Sequence, residues 1–117
     1  MHPSHYAFLT TLLSQPTAPF REQHVAAYAT ATLEQHGVPY FLDPIGNIVV
    51  GASSKTDYQR LLREPSSEPL RVFIAHMDHP GFHGVRWGGP HVLRIRWHGG
   101  SPTKLLHGSR VWVSTAA

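Results

Sequence analysis

The densest group of side chains able to bind a metal or move a proton is the run Ala75-His76-Met77-Asp78-His79-Pro80-Gly81-Phe82-His83. His76 and Asp78 are two apart, so in extended chain their side chains point to the same side. A carboxylate beside an imidazole fixes its tautomer and raises its basicity, which is what a metal-ligating histidine requires of its neighbour. The same spacing also suits a His–Asp pair that only caps a strand end, and residue types alone leave both readings open. His79 and His83 would share one face of a helix, but Pro80-Gly81 forbids a helix there. A self-contained site built from His76, Asp78, His79 and His83 would therefore need an awkward loop. The other histidines (His2, His5, His24, His36, His91, His98 and His107) lack ligand-type spacing and are expected at the surface.

Other chemistries are thinly represented. The chain has no cysteine, which excludes disulfide frameworks, zinc–thiolate fingers, iron–sulfur ligation and thiol nucleophiles. It carries no Gly-x-Gly-x-x-Gly turn, no phosphate loop and no Gly-x-Ser-x-Gly elbow. Glu22 and Glu34 sit on helical sequence without a partner and read as solvated. The formal charge of +3 comes from ten basic residues scattered along 117 positions, and ten histidines make it strongly pH-dependent. The one basic cluster with an aromatic, Arg94-Ile95-Arg96-Trp97, alternates like a half-exposed strand, so no nucleic-acid groove is expected. No apolar run approaches the roughly 20 residues of a membrane span, and no secretory signal is visible. The expectation is a soluble, cytoplasmic chain with no membrane partner.

Several elements must position these residues. Ser4 is placed to cap a first helix carrying Tyr6, Leu9, Leu12 and Leu13, which Gln15-Pro16 ends. After a loop over 16–20, a second helix is expected over 21–36, with Val25, Tyr28, Ala29, Thr32 and Leu33 inward and Gly37 as its C-terminal cap. Tyr40-Phe41-Leu42 and Ile48-Val49-Val50 flank the turn Asp43-Pro44-Ile45-Gly46-Asn47. Residues 53–69 read as a polar surface excursion with a helical patch around 58–63. Leu70-Arg71-Val72-Phe73-Ile74-Ala75 is nearly continuous apolar sequence and predicts a central strand covered on both faces. That would place His76 at a strand's C-terminal end, where open α/β sheets bind ligands. Beyond Gly88-Gly89-Pro90, residues 91–97 and 109–114 are β-like with no helix signal between them. The reading is an α/β layered unit over 1–87 and an incomplete all-β unit over 88–117.

Three motifs in this order carry a resemblance: Pro16-Thr17 through Glu22-Gln23-His24-Val25, then Asp43-Pro44-Ile45-Gly46-Asn47-Ile48, then Ala75-His76-Met77-Asp78 with Gly81-Phe82. Together they resemble the N-terminal part of the co-catalytic di-zinc aminopeptidases of the glutamyl-aminopeptidase and tetrahedral-aminopeptidase (deblocking) type. Gly99-Gly100-Ser101-Pro102, Leu105-Leu106 and Gly108-Ser109-Arg110-Val111 resemble the start of that family's inserted β-barrel domain. The resemblance implies part of a zinc-peptidase catalytic domain, a layered sheet with two N-terminal helices, followed by the first strands of a small β-barrel-like domain.

It also implies the activity, which is removal of N-terminal residues from peptides by metal-activated water, with two zinc ions per complete site. By resemblance His76 is a zinc ligand and Asp78 is the aspartate that orients it. The chain departs from the family at His79-Pro80, where an acidic and an aliphatic residue are usual. The family's bridging carboxylate, general-base glutamate and other zinc ligands lie C-terminal of anything in these 117 residues. This chain alone is therefore expected to be inactive and to bind zinc weakly or not at all. Two alternatives stay open: a segment of a related zinc carboxypeptidase or N-acyl-amino-acid deacylase, and a non-catalytic self-associating module. The partners expected are peptide substrates in the complete protein and further copies of the chain, joined through 88–117.

Overall fold

The computed structural model describes residues 2–115. Helix α1 spans Pro3–Leu13 and helix α2 Gln23–Gln35. The cap of α1 is His2 rather than Ser4, because Pro3 takes the first helical position, where its missing N–H costs nothing. The His2 side chain accepts from the Ser4 N–H instead. Ser14, just before Gln15-Pro16, is the C-cap of α1. At the end of α2, Gly37 takes φ 63°, the Val38 N–H donates to the Leu33 carbonyl and the Gly37 N–H to that of Glu34. This is a Schellman closure, available at low cost because glycine tolerates positive φ. The two helices meet through Phe8 stacked on Tyr28 at 5.8 Å. Val25 is buried and Tyr28, Ala29, Thr32 and Leu33 are half-buried, the inner stripe read from the sequence.

Strand β1 (Tyr40–Leu42) pairs antiparallel with β2 (Ile48–Val50), Phe41 opposite Val49. The Asp43 carboxylate organises the turn by accepting from the Ile45 N–H (3.0 Å), the Asn47 N–H (2.8 Å) and the Asn47 side-chain amide (2.8 Å). Helix α3, Lys55–Leu61, starts from a reciprocal cap. Ser54 Oγ accepts from the Asp57 N–H and the Asp57 carboxylate accepts from the Ser53 N–H, each at 3.1 Å. Arg60 sets the Asp57 carboxyl below its usual range, with the Ser53 bond adding to the effect.

A second antiparallel pair joins β3 (Gly81–Gly89) to β4 (Val92–His98), with irregularities at Gly84/Arg86 and Trp87/Gly89. A single 3-10 turn, Thr103–Leu105, follows. Helices and small antiparallel sheets are thus mixed, and no closed barrel forms among the described residues. Residues 88–90, read as a division between two units, are the end of β3 and the start of the β3–β4 turn. No helix among the described residues is long and apolar enough to cross a membrane.

Two expected strands differ. Leu70–Ala75 forms no ladder, and Phe73 and Ile74 are 92% and 93% exposed. An apolar run becomes a central strand only when other strands flank it. Here the two sheets are separate two-stranded pairs and neither brings an edge to it. Residues 109–114 are likewise outside any strand.

The core is small: among the described residues, Ala18, Val25 and Ala52 are the buried hydrophobic ones. The accessible surface is 9833 Å², against about 6,300 Å² for a compact monomer of this mass. The radius of gyration is 18.5 Å, against about 13 Å for a compact chain of this length. Large apolar faces therefore remain uncovered.

Candidate functional site

The segment that carries His76 and Asp78 is held by contacts from elsewhere in the chain. The Thr17 hydroxyl donates to the Met77 carbonyl at 3.1 Å. Gly81 lies against Ala18 so closely that an added Cβ would be 2.8 Å from the Ala18 Cβ. Pro80 lies in the same way against Gly99. The scaffold of the site is thus the loop over 16–20 and the root of the β3–β4 hairpin, not a buried strand before His76.

His76 and Asp78 come together. His76 Nδ1 is 2.7 Å from the Asp78 backbone carbonyl and 3.2 Å from Asp78 Oδ1. Both neighbours are oxygen acceptors, so Nδ1 carries the proton and Nε2 carries the free lone pair. The His76 side chain is 82% exposed and that of Asp78 is 37% exposed, so Nε2 is presented at the surface. This is the donor set a zinc ion accepts: a neutral imidazole of fixed tautomer whose other nitrogen is held by a carboxylate. His76 fits as one ligand, and Asp78 fits as the group behind it.

The remaining histidines of the segment go elsewhere. His79 Nδ1 stands 3.5 Å from the Pro80 carbonyl, too far for a firm hydrogen bond. His83 turns the other way, its Nε2–H donating to the Pro19 carbonyl at 2.8 Å. Among the described residues no three His, Cys, Asp or Glu side chains converge as a metal would require, so His76, Asp78, His79 and His83 do not form one centre. His79 and His83 instead line a cleft of about 960 Å³, whose walls include Pro16, Phe82, Leu93 and Trp112.

Sequence reasoning missed one residue of this region. His98, expected at the surface, is half-buried, with its ring 4.0 Å from that of His83 and the Phe20 ring edge-on at 6.1 Å. Its Nε2 is enclosed and has no hydrogen-bond partner. Burial first, then the charges of His83 and Arg96, hold its pKa below the ordinary histidine value. No spacing rule exposes such a pair. The signal is the strand register: His98 pairs with Gly81 and His83 with Arg96, which places the two imidazoles as diagonal neighbours on one face of the hairpin.

Comparison of the chain with protein-family models, curated proteins and solved structures returns no match. Any reading of the site rests on its own chemistry.

Proposed function

We propose that residues 76–78 are the first metal-ligand element of a co-catalytic zinc aminopeptidase-type hydrolase, His76 binding through Nε2 and Asp78 fixing its tautomer. The observation that carries this reading is the pairing of His76 Nδ1 with the Asp78 carbonyl and carboxylate, which leaves Nε2 free and exposed. Zinc, when bound, supplies the Lewis acidity that activates water for attack on a peptide carbonyl. His76 contributes one of the roughly three protein ligands a catalytic zinc needs. The reading requires the others, the second zinc's ligands and the general base to come from residues outside this chain, within a peptidase catalytic domain of cytoplasmic location. Calorimetry with zinc tests it: weak binding lost in His76→Ala supports the reading. Tight stoichiometric binding abolished by removing His79 or His83 overturns it.

A second reading, a self-associating module built on 88–117, is favoured by one observation. Val92, Ile95, Leu105, Val111, Trp112 and Val113 are all exposed on and beyond the β3–β4 pair. Two strands alone are marginal in water, and an open edge invites another chain.

A further inference from the structure

Among the described residues, only two side-chain hydrogen bonds join parts of the chain more than six positions apart: Thr17 to Met77 and His83 to Pro19. The first ties the loop over 16–20 to the segment just before β3, and the second ties it to β3 itself through a member of the His83–His98 pair. We infer that the closely packed His83–His98 pair is an acid-sensitive latch that holds the Pro16–Phe20 loop against the β3–β4 hairpin.

The pair tolerates few protons. His83 donates to Pro19 through Nε2 whether its ring is neutral or charged. The His98 Nε2 is enclosed and makes no hydrogen bond, so protonating that nitrogen leaves a buried N–H without a partner. With the two rings 4.0 Å apart and tilted by 33°, charging both sets like charges side by side at close range. The groups around the pair do little to offset this. Arg96 of β4 is already cationic, and Arg21, His24, His79 and Arg110 line the cleft shared with His83. The one acid on the docked loop's side, Glu22, is engaged by the Phe20 N–H at 2.7 Å. The open state can take up protons that the closed state refuses, so acid favours opening.

The loop is also poised to move. The Arg21 N–H donates to the Ala18 carbonyl, closing a turn with Pro19 and Phe20 at its centre. Phe20 sits at φ 68°, a conformation that usually belongs to glycine at that turn position. It is retained while the Phe20 ring meets His98 and the Pro19 carbonyl meets His83. Opening relaxes it.

The latch stands apart from metal binding at His76, and the test is run without metal. Side-chain and backbone NMR of the full chain, labelled with nitrogen-15, is followed from pH 7.5 to pH 5. His98 is expected to titrate below the ordinary histidine value, with the Thr17 and Phe20 amides moving at the same midpoint. The closed-to-open constant should rise by up to tenfold per pH unit for each proton taken up. His98→Phe, which keeps an aromatic ring and removes the charge, should abolish the acid shift of those amides. Where that variant fails to fold, His83→Gln is measured instead, and its Phe20 amide should lose the same midpoint. Loop amides that stay fixed while His98 titrates, or an acid shift that persists in the folded variant, would overturn the latch. Failure of zinc to bind His76 would leave it intact.

Discussion

The Thr17 hydroxyl donates to the Met77 carbonyl at 3.1 Å, across a sequence separation of 60 residues. It grips the peptide between His76 and Asp78 from the opposite end of the chain, so the geometry of the imidazole–carboxylate pair depends on a loop far from it in sequence. Thr17→Val should cost about 1 kcal/mol, the net worth of one hydrogen bond, and chemical denaturation would measure it. An unchanged denaturation midpoint would show that the contact does not hold the segment.

Close backbone packing at the hairpin root predicts a graded glycine series. At Gly99, φ is 133° and a Cβ would stand 2.6 Å from that of Pro80. Gly99→Ala should therefore destabilise by about 3 kcal/mol, combining strain with overpacking. Gly81→Ala meets the Ala18 methyl at 2.8 Å and the Thr17 carbonyl oxygen at 3.4 Å, without a positive φ, and should cost about 2 kcal/mol. Gly100 has nothing within 4 Å and no positive φ, so Gly100→Ala should be close to neutral. Thermal unfolding of the three variants checks the order, and equal effects would contradict the packing described.

Elements closed by their own neighbours in sequence were legible before the structure. Gly37 ends α2, and Asp43 and Asn47 close the β1–β2 turn, because the deciding hydrogen bonds lie within a few residues. The His76–Asp78 pairing was legible for the same reason. Leu70–Ala75 was not. Its apolar run implies flanking strands, and neither of the two small sheets supplies them. His98 was hidden because its neighbours, Gly81 across the ladder and His83 beside it, are set by a register that no local pattern reveals.

The Asp43 turn gives a pH prediction. Partial burial works to raise the Asp43 carboxyl, but bonds from the Asn47 side chain and from the Asn47, Ile45 and Gly46 backbone outweigh it and hold its pKa below the ordinary aspartate value. A folded pKa below the unfolded one adds stability above the unfolded value, and that stability is lost as pH falls through the folded value. Protection of the Asn47 amide against hydrogen exchange should therefore fall from about pH 4 downward, the ordinary carboxyl range. Asp43→Asn should be less protected at neutral pH and flat with acid. A variant with the wild-type acid dependence would rule this out.

Self-association through 88–117 is tested on the full chain. Trp112 is 69% exposed, and burying it between copies would contribute roughly 2–3 kcal/mol. Sedimentation at tens of micromolar should show oligomers that Trp112→Asp shifts towards monomer. A folded wild-type chain that sediments as a clean monomer would contradict the module reading.

The reading of residues 76–78 as a metal-ligand element turns on which nitrogen of His76 is free. Long-range nitrogen-15 correlation spectra of the imidazoles report the tautomer directly, first without metal and then with zinc added. His76 should be protonated at Nδ1, with zinc perturbing Nε2, and no such response should appear in His76→Ala. His76 protonated at Nε2, or zinc acting on His83 while His76 stays unmoved, would contradict it.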